Sequence, residues 1–134
     1  MVWDAQALQA GFSTADKPWL PIPVEHQLRS VSAQYGDPES VLEQYRRFLA
    51  FRRQHPALAK GDMEMFPPEG SLLRYERRYG NEVILCIFNM GQKPVEVEPP
   101  AGNWDVLEGH GFESILEGNR INLPAWGAFF ARRA

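Results

Sequence analysis

The chain has 134 residues, of which 44% are hydrophobic, 23% charged and 12% aromatic. That composition excludes intrinsic disorder and suits one domain, or a small domain with an appendage. A formal charge of −3 supplies no general attraction to nucleic acid or anionic membranes. No apolar run approaches the roughly 20 residues that span a bilayer, and the first residues lack a secretory pattern, so the expected compartment is cytoplasmic. Cys86, the one cysteine, has no intrachain disulfide partner, and within EVILCIF it reads as a small buried apolar residue.

Residues 1–36 carry little periodicity and much turn chemistry. Pro18, Pro21 and Pro23 make a continuous helix or a central strand improbable there. Phe12, Trp19, Leu20 and Ile22 favour a loop with something to pack against.

The first well-specified element is the stretch GDPESVLEQYRRFLAFRRQHPAL. Asp37 is the expected N-cap, Pro38 fits the first helical position, and Glu39 complements the positive end of the dipole. Val41, Leu42, Tyr45, Phe48 and Leu49 form one apolar face, and Pro56 is expected to stop the helix at about His55. After Gly61 the pattern becomes short and strand-like. DMEMF, LLRYERRY, EVILCIFN, PVEVEP, NWDVLEG, ESIL, RINLP and GAFFARR are separated by glycine, proline or asparagine. Tyr79-Gly80-Asn81 marks a hairpin, PVEVEP alternates, and VILCIF suits a central strand buried on both faces. The expected fold class is therefore mainly β: an antiparallel β-sandwich or small barrel of seven or eight strands.

Residue chemistry alone identifies no catalytic group. Asp4 and Asp16 cannot be placed as a close carboxylate pair. His26, His55 and His110 are far apart with no cysteine at metal-ligand spacing, so neither a metal nor a cofactor is expected. Gly109-His110-Gly111 reads as a turn. Trp3, Phe12, Trp19, Trp104 and Trp126 could offer stacking faces to a sugar, or serve as core. A carbohydrate-binding β-sandwich and a protein-interaction module both stay open at this level.

The ordered motifs are more specific. MVWD, then AGFSTADKPWLPI, then DPESVLEQYRRFLAFRRQHPALAKGD resemble the end of the catalytic barrel in the α-amylase superfamily, glycoside hydrolase family 13. The α-glucosidase and oligo-1,6-glucosidase branch matches best. Met1, Trp3 and Asp4 match its first motif, Gly11 and Phe12 the second, and Lys17, Pro18, Trp19, Leu20 and Pro21 the third. Gln9 stands where an asparagine is common.

This resemblance implies a C-terminal part of a retaining α-glucosidase-like hydrolase acting on α-linked glucosides. Residues 1–58 would be the terminal loop and last helix of an otherwise absent (β/α)8 barrel, and residues 59–134 a C-terminal antiparallel sandwich of Greek-key type. Loops after barrel strands form the active face, so Trp3, Asp4 and Phe12 would lie at the substrate-pocket rim, with Trp19 a packing anchor. The family's catalytic acids match no motif here, so the chain alone is expected to be inactive. Its expected partners are α-glucosides through the complete enzyme, and the absent barrel or another copy of the chain. Neither nucleic acid nor a membrane is among them.

Overall fold

The proline spacing limits regular structure at the start of the chain to single turns. In the computed structural model, which describes residues 1–134, the first 36 residues hold a tight turn at Leu8–Gly11 and two one-turn helices, α1 (Val24–Gln27) and α2 (Val31–Gln34). These short helices were not legible as periodicity, because four residues carry none. Buried Ser30 caps α2 by accepting the Ala33 N–H at 3.3 Å.

Helix α3 spans Val41–Gln54, and its start corrects the Asp37 expectation. Asp37 Oδ1 accepts the Glu39 N–H at 3.0 Å and closes only a local turn. Ser40 is the cap: its Oγ accepts the Glu43 N–H at 3.3 Å and lies 2.7 Å from the Asp37 carbonyl oxygen. Gln34 Oε1 satisfies a further free donor, the Leu42 N–H, at 3.2 Å. The signal was Ser40-Val41-Leu42-Glu43, the capping-box spacing, although here Glu43 turns to the Gly36 N–H instead of the cap. Ser40→Ala is expected to cost about 1 kcal/mol, read as a lowered denaturant midpoint with an unchanged slope.

The chain resolves into two compact units, 1–47 and 48–134, and α3 runs through the division. Pro56 ends α3 as expected, and it also opens a short helix that the sequence reading did not include, α4 (Pro56–Lys60). Proline suits a first helical position because the N–H it lacks would be unpaired there. The Glu82 carboxylate serves α4 from outside, accepting the Ala57 N–H at 2.7 Å while its other oxygen pairs with His55 Nδ1 at 3.1 Å.

All eight expected strands are present: β1 (Asp62–Met65), β2 (Leu72–Tyr79), β3 (Glu82–Asn89), β4 (Val95–Val97), β5 (Trp104–Val106), β6 (Ile115–Glu117), β7 (Arg120–Leu123) and β8 (Ala128–Arg133). They form two antiparallel sheets, of order β1-β2-β3-β8-β5 and β4-β7-β6. Gly80 and Asn81 turn β2 into β3, with Gly80 at φ 58° and Tyr79 paired with Glu82.

Strand β3 explains the layering. Ile84 and Cys86 face a cluster with Phe51, Ala57 and Leu58 from the helices, and Ala128 and Phe130 from β8. Leu85 and Ile87 face the opposite way, into a cluster with Val97, Ile121 and Leu123 of the small sheet and Phe129 and Ala131 of β8. A run of four fully buried apolar residues thus serves two cores by period-two alternation. PVEVEP shows the one-sided version, with Val97 buried and Glu96 and Glu98 exposed.

Cys86 is buried, and Tyr75 occupies the paired position on β2. Burial pushes Cys86 up to about 12, and burial with the neighbouring thiol pushes Tyr75 up to about 12. The thiol therefore stays protonated at pH 8. The expected result is no reaction with a disulfide reagent at pH 8 until denaturant unfolds the chain; rapid labelling of the native protein would contradict this burial.

The buried Glu76 carboxylate of this unit is paired, whereas the buried Nε atoms of Arg74 and Arg77 have no hydrogen-bond partner. The Glu76 carboxylate, 3% exposed, takes Arg78 and, at 3.0 Å, Arg133. The Arg133 guanidinium also lies 4.8 Å above the Trp104 ring centroid. Gly61 marks a close approach of two backbones, because a Cβ there would sit 2.5 Å from the Ala57 carbonyl oxygen and 2.6 Å from that of Arg78. Gly61→Ala is expected to cost about 1–3 kcal/mol through forced displacement, measurable as a lower melting temperature.

Candidate functional site

The N-terminal motif folds into a clasp. Gln9, Ala10 and Gly11 adopt successive left-handed conformations at φ 49°, 54° and 74°, which cost about 1–3 kcal/mol for each non-glycine residue. The geometry persists because Ala10 is buried and its carbonyl accepts two N–H groups, from Trp3 at 2.9 Å and Asp4 at 3.2 Å. Ala10 in turn donates to Ala7, and Ala7 to Asp4, at 3.0 and 3.2 Å. On the other side, Val2 and Trp3 accept the N–H groups of Val31 and Ser32 at 3.0 and 2.8 Å. The backbone of Trp3 is thereby fixed in both directions, toward the turn and toward α2. Gln9 adds a bond of its own, donating Nε2 to the Asp16 carbonyl at 2.9 Å.

This frame presents the three expected rim residues to solvent. Trp3 is 49% exposed, Phe12 is 45% exposed and Asp4 is exposed. Asp4 Oδ1 accepts the Gln6 N–H at 2.9 Å, leaving the second carboxylate oxygen available. Phe12 lines an open depression of about 560 Å³ with Leu8, Gly11, Ser13 and Thr14. Trp3 and Asp4 stand outside that lining. The structure therefore joins Trp3 and Asp4 through one carbonyl and gives Phe12 a separate place beyond the turn.

The remaining candidates divide clearly. Trp19 is 96% exposed and anchors nothing within residues 1–134, and Phe12 and Leu20 are exposed with it; the expected packing of this loop is not found within the chain. Trp104 is structural, donating Nε1 to the Pro100 carbonyl at 2.8 Å beneath Arg133. Trp126 stays exposed. His55 is engaged by Glu82, His26 is exposed and His110 is buried, and no group of three acidic, histidine or cysteine residues could hold a metal. A groove of about 510 Å³ beside β4, β6 and β7, lined by Pro94, Val95, Glu113, Ile115, Asn122 and Pro124 among others, offers no aromatic platform. Sequence reasoning missed Asn89, buried at the end of β3, where all four side-chain hydrogen-bonding positions are used; the only signal was a polar residue ending an apolar strand.

A family model described as alpha amylase, catalytic domain, matches residues 1–61, the segment that carries the clasp. Along its whole length the chain is 52% identical to a "Probable alpha-glucosidase" of Rhizobium meliloti, covering 24% of that protein. Among solved structures it superposes on an alpha-glucosyl transfer enzyme, XgtA, with a TM-score of 0.90 and 32% identity, covering 100% of this chain and 25% of the other. It also superposes on the isomaltulose synthase of Erwinia rhapontici, with a TM-score of 0.78 and 26% identity over 98% of this chain and 24% of the other. The chain spans about a quarter of the length of each of these relatives. From the first clasp residue to the last strand, it matches members of glycoside hydrolase family 13, the α-amylase and α-glucosidase superfamily.

Proposed function

We propose that residues 1–134 serve as the C-terminal portion of a retaining α-glucosidase-like enzyme acting on α-linked glucosides in the cytoplasm. The observation that carries this reading is the match of residues 1–61 to a catalytic-domain family, over the segment that holds Trp3, Asp4 and Phe12 outward. In this proposal residues 1–58 complete a (β/α)8 barrel and residues 59–134 form its Greek-key C-terminal domain. Exposed apolar side chains of the first unit, among them Trp19, Leu20, Leu28, Tyr35 and Val41, then have the barrel as their cover. Each such side chain contributes about 1.5–3 kcal/mol when fully buried.

In the retaining reaction a carboxylate attacks the anomeric carbon as an acid protonates the leaving oxygen, and water then hydrolyses the glycosyl-enzyme. Those acids come from outside residues 1–134. Trp3 and Phe12 offer apolar ring faces to the C–H side of a sugar, and the free Asp4 oxygen accepts a sugar hydroxyl. Relatives are named for hydrolysis, glucosyl transfer and isomaltulose synthesis, which supports assigning the choice among these outcomes to residues beyond this chain.

The rim role is tested in the chain joined to the polypeptide that supplies the rest of the barrel. Trp3→Ala and Phe12→Ala are each expected to raise KM for an α-glucoside by about tenfold, the loss of roughly 1.4 kcal/mol of binding. Unchanged KM in both variants would remove Trp3 and Phe12 from the rim.

A further inference from the structure

The loop between β5 and β6 contains a feature that the glycosidase reading does not use. Leu107 donates its N–H to the Phe130 carbonyl at 2.9 Å, and the chain then turns inward through Gly109 and outward through Gly111, at φ 86° and 85°. Between those glycines His110 enters the aromatic cluster and is 6% exposed. Its ring centroid lies 4.9 Å from that of Phe130, 5.4 Å from Phe51 and 6.0 Å from Phe112. Its Nδ1 accepts the Phe112 N–H at 3.1 Å, which requires a lone pair on that nitrogen and so places the ring proton on Nε2.

We propose that His110 is an acid-released latch: the neutral ring holds the 107–112 loop closed over Phe51 and Phe130, and protonation at Nδ1 opens it. A proton on Nδ1 sets two donors against each other at the Phe112 amide and puts a cation among phenyl rings. The charged and titratable groups around the cluster do not neutralise that cation. Glu108 is exposed on the same loop, Glu82 is engaged by His55 and the Ala57 N–H, and the His55 ring lies 4.8 Å from that of Phe51. Tyr75 and Cys86, on the strands beneath, stay neutral across this range.

Burial lowers the His110 pKa from 6.5, opposed by hydrogen bonding to Leu107 and by the Glu108 charge. The sign follows: the closed loop has its full stability above about pH 6.5 and loses it as pH falls below that value. One linked proton changes the opening equilibrium by at most about tenfold per pH unit.

Hydrogen exchange of the intact chain between pH 8 and 5, corrected for intrinsic rates, tests the latch. Amides of residues 107–112 are expected to lose protection progressively below pH 6.5 while those of β3 and β8 hold theirs, and His110→Phe is expected to remove the pH-dependent loss. Should His110→Phe fail to fold, the His110 ring is titrated in the wild-type chain by NMR, where an apparent pKa below 6.5 that tracks the Phe112 amide shift supports the latch. Loop protection independent of pH, simultaneous loss in β3 and β8, the same loss in His110→Phe, or a ring titrating at 6.5 or above would each overturn it.

Discussion

Asn89→Leu is expected to lower the unfolding free energy by about 3–5 kcal/mol, close to the whole margin of a small domain. The side chain of Asn89 is 1% exposed and makes every bond that an amide can make. Its Nδ2 donates to the carbonyls of Lys93 and Pro124 at 2.7 and 2.9 Å. Its Oδ1 accepts the Ser71 hydroxyl at 2.9 Å and the Gly91 N–H at 3.0 Å. These four partners lie in the β2 approach, the β3–β4 turn and the β7–β8 turn, so one residue ties three connections at one end of the unit. Leucine matches the volume but can make none of the four bonds, and although the Pro124 carbonyl keeps the Gly127 N–H at 3.0 Å, each group left unpaired away from water costs about 1–3 kcal/mol before local relaxation. Glu98→Gln, at an exposed position just after β4, is expected to stay within about 0.5 kcal/mol. Equilibrium denaturation by urea, followed by tryptophan fluorescence, compares the two, and equal midpoints would contradict the hub assignment.

Phe130→Ala carries the second large effect, about 3–5 kcal/mol. Phe130 is buried on β8, and its ring centroid lies 5.3 Å from Phe51, 5.5 Å from Phe88 and 5.9 Å from Phe48, besides its contact with His110. Truncation leaves a cavity under the last turns of α3 that the rigid strand cannot close. Phe130→Leu retains most of the volume and is expected to cost less than half as much. Both values are read from thermal or denaturant unfolding; a Phe130→Ala chain as stable as the wild type would mean that α3 does not dock through this cluster.

The strands were legible because each carries its own punctuation. Tyr79-Gly80-Asn81 fixes the β2–β3 hairpin, and the unbroken VILCIF run announces a strand with core on both sides. Sheet order was not legible: β8 lies between β3 and β5, a pairing between distant segments that no local pattern encodes. Helix α4 was hidden because Pro56 was read only as a stop, while the carboxylate that favours its start, Glu82, comes from the next hairpin. His110 shows the same limit. Two glycines announced a turn, but only the folded sheet brings Phe51, Phe112 and Phe130 around the ring between them.

At the N-terminus Trp3, Asp4 and Phe12 are exposed, and Trp19 finds no anchor in the chain itself. A motif can mark a residue as surface-presenting without revealing what it faces. The left-handed turn at Gln9 and Ala10 was equally invisible, since neither residue favours positive φ; two N–H groups converging on one carbonyl hold it.

The most direct measurement of the central claim is release of chromophore from p-nitrophenyl α-glucoside. Residues 1–134 alone are expected to give no turnover above a heat-denatured control, and the same residues joined in frame to the polypeptide supplying the rest of the barrel are expected to hydrolyse the substrate. Turnover by residues 1–134 alone that co-purifies with the chain and is abolished by Asp4→Asn would contradict the account.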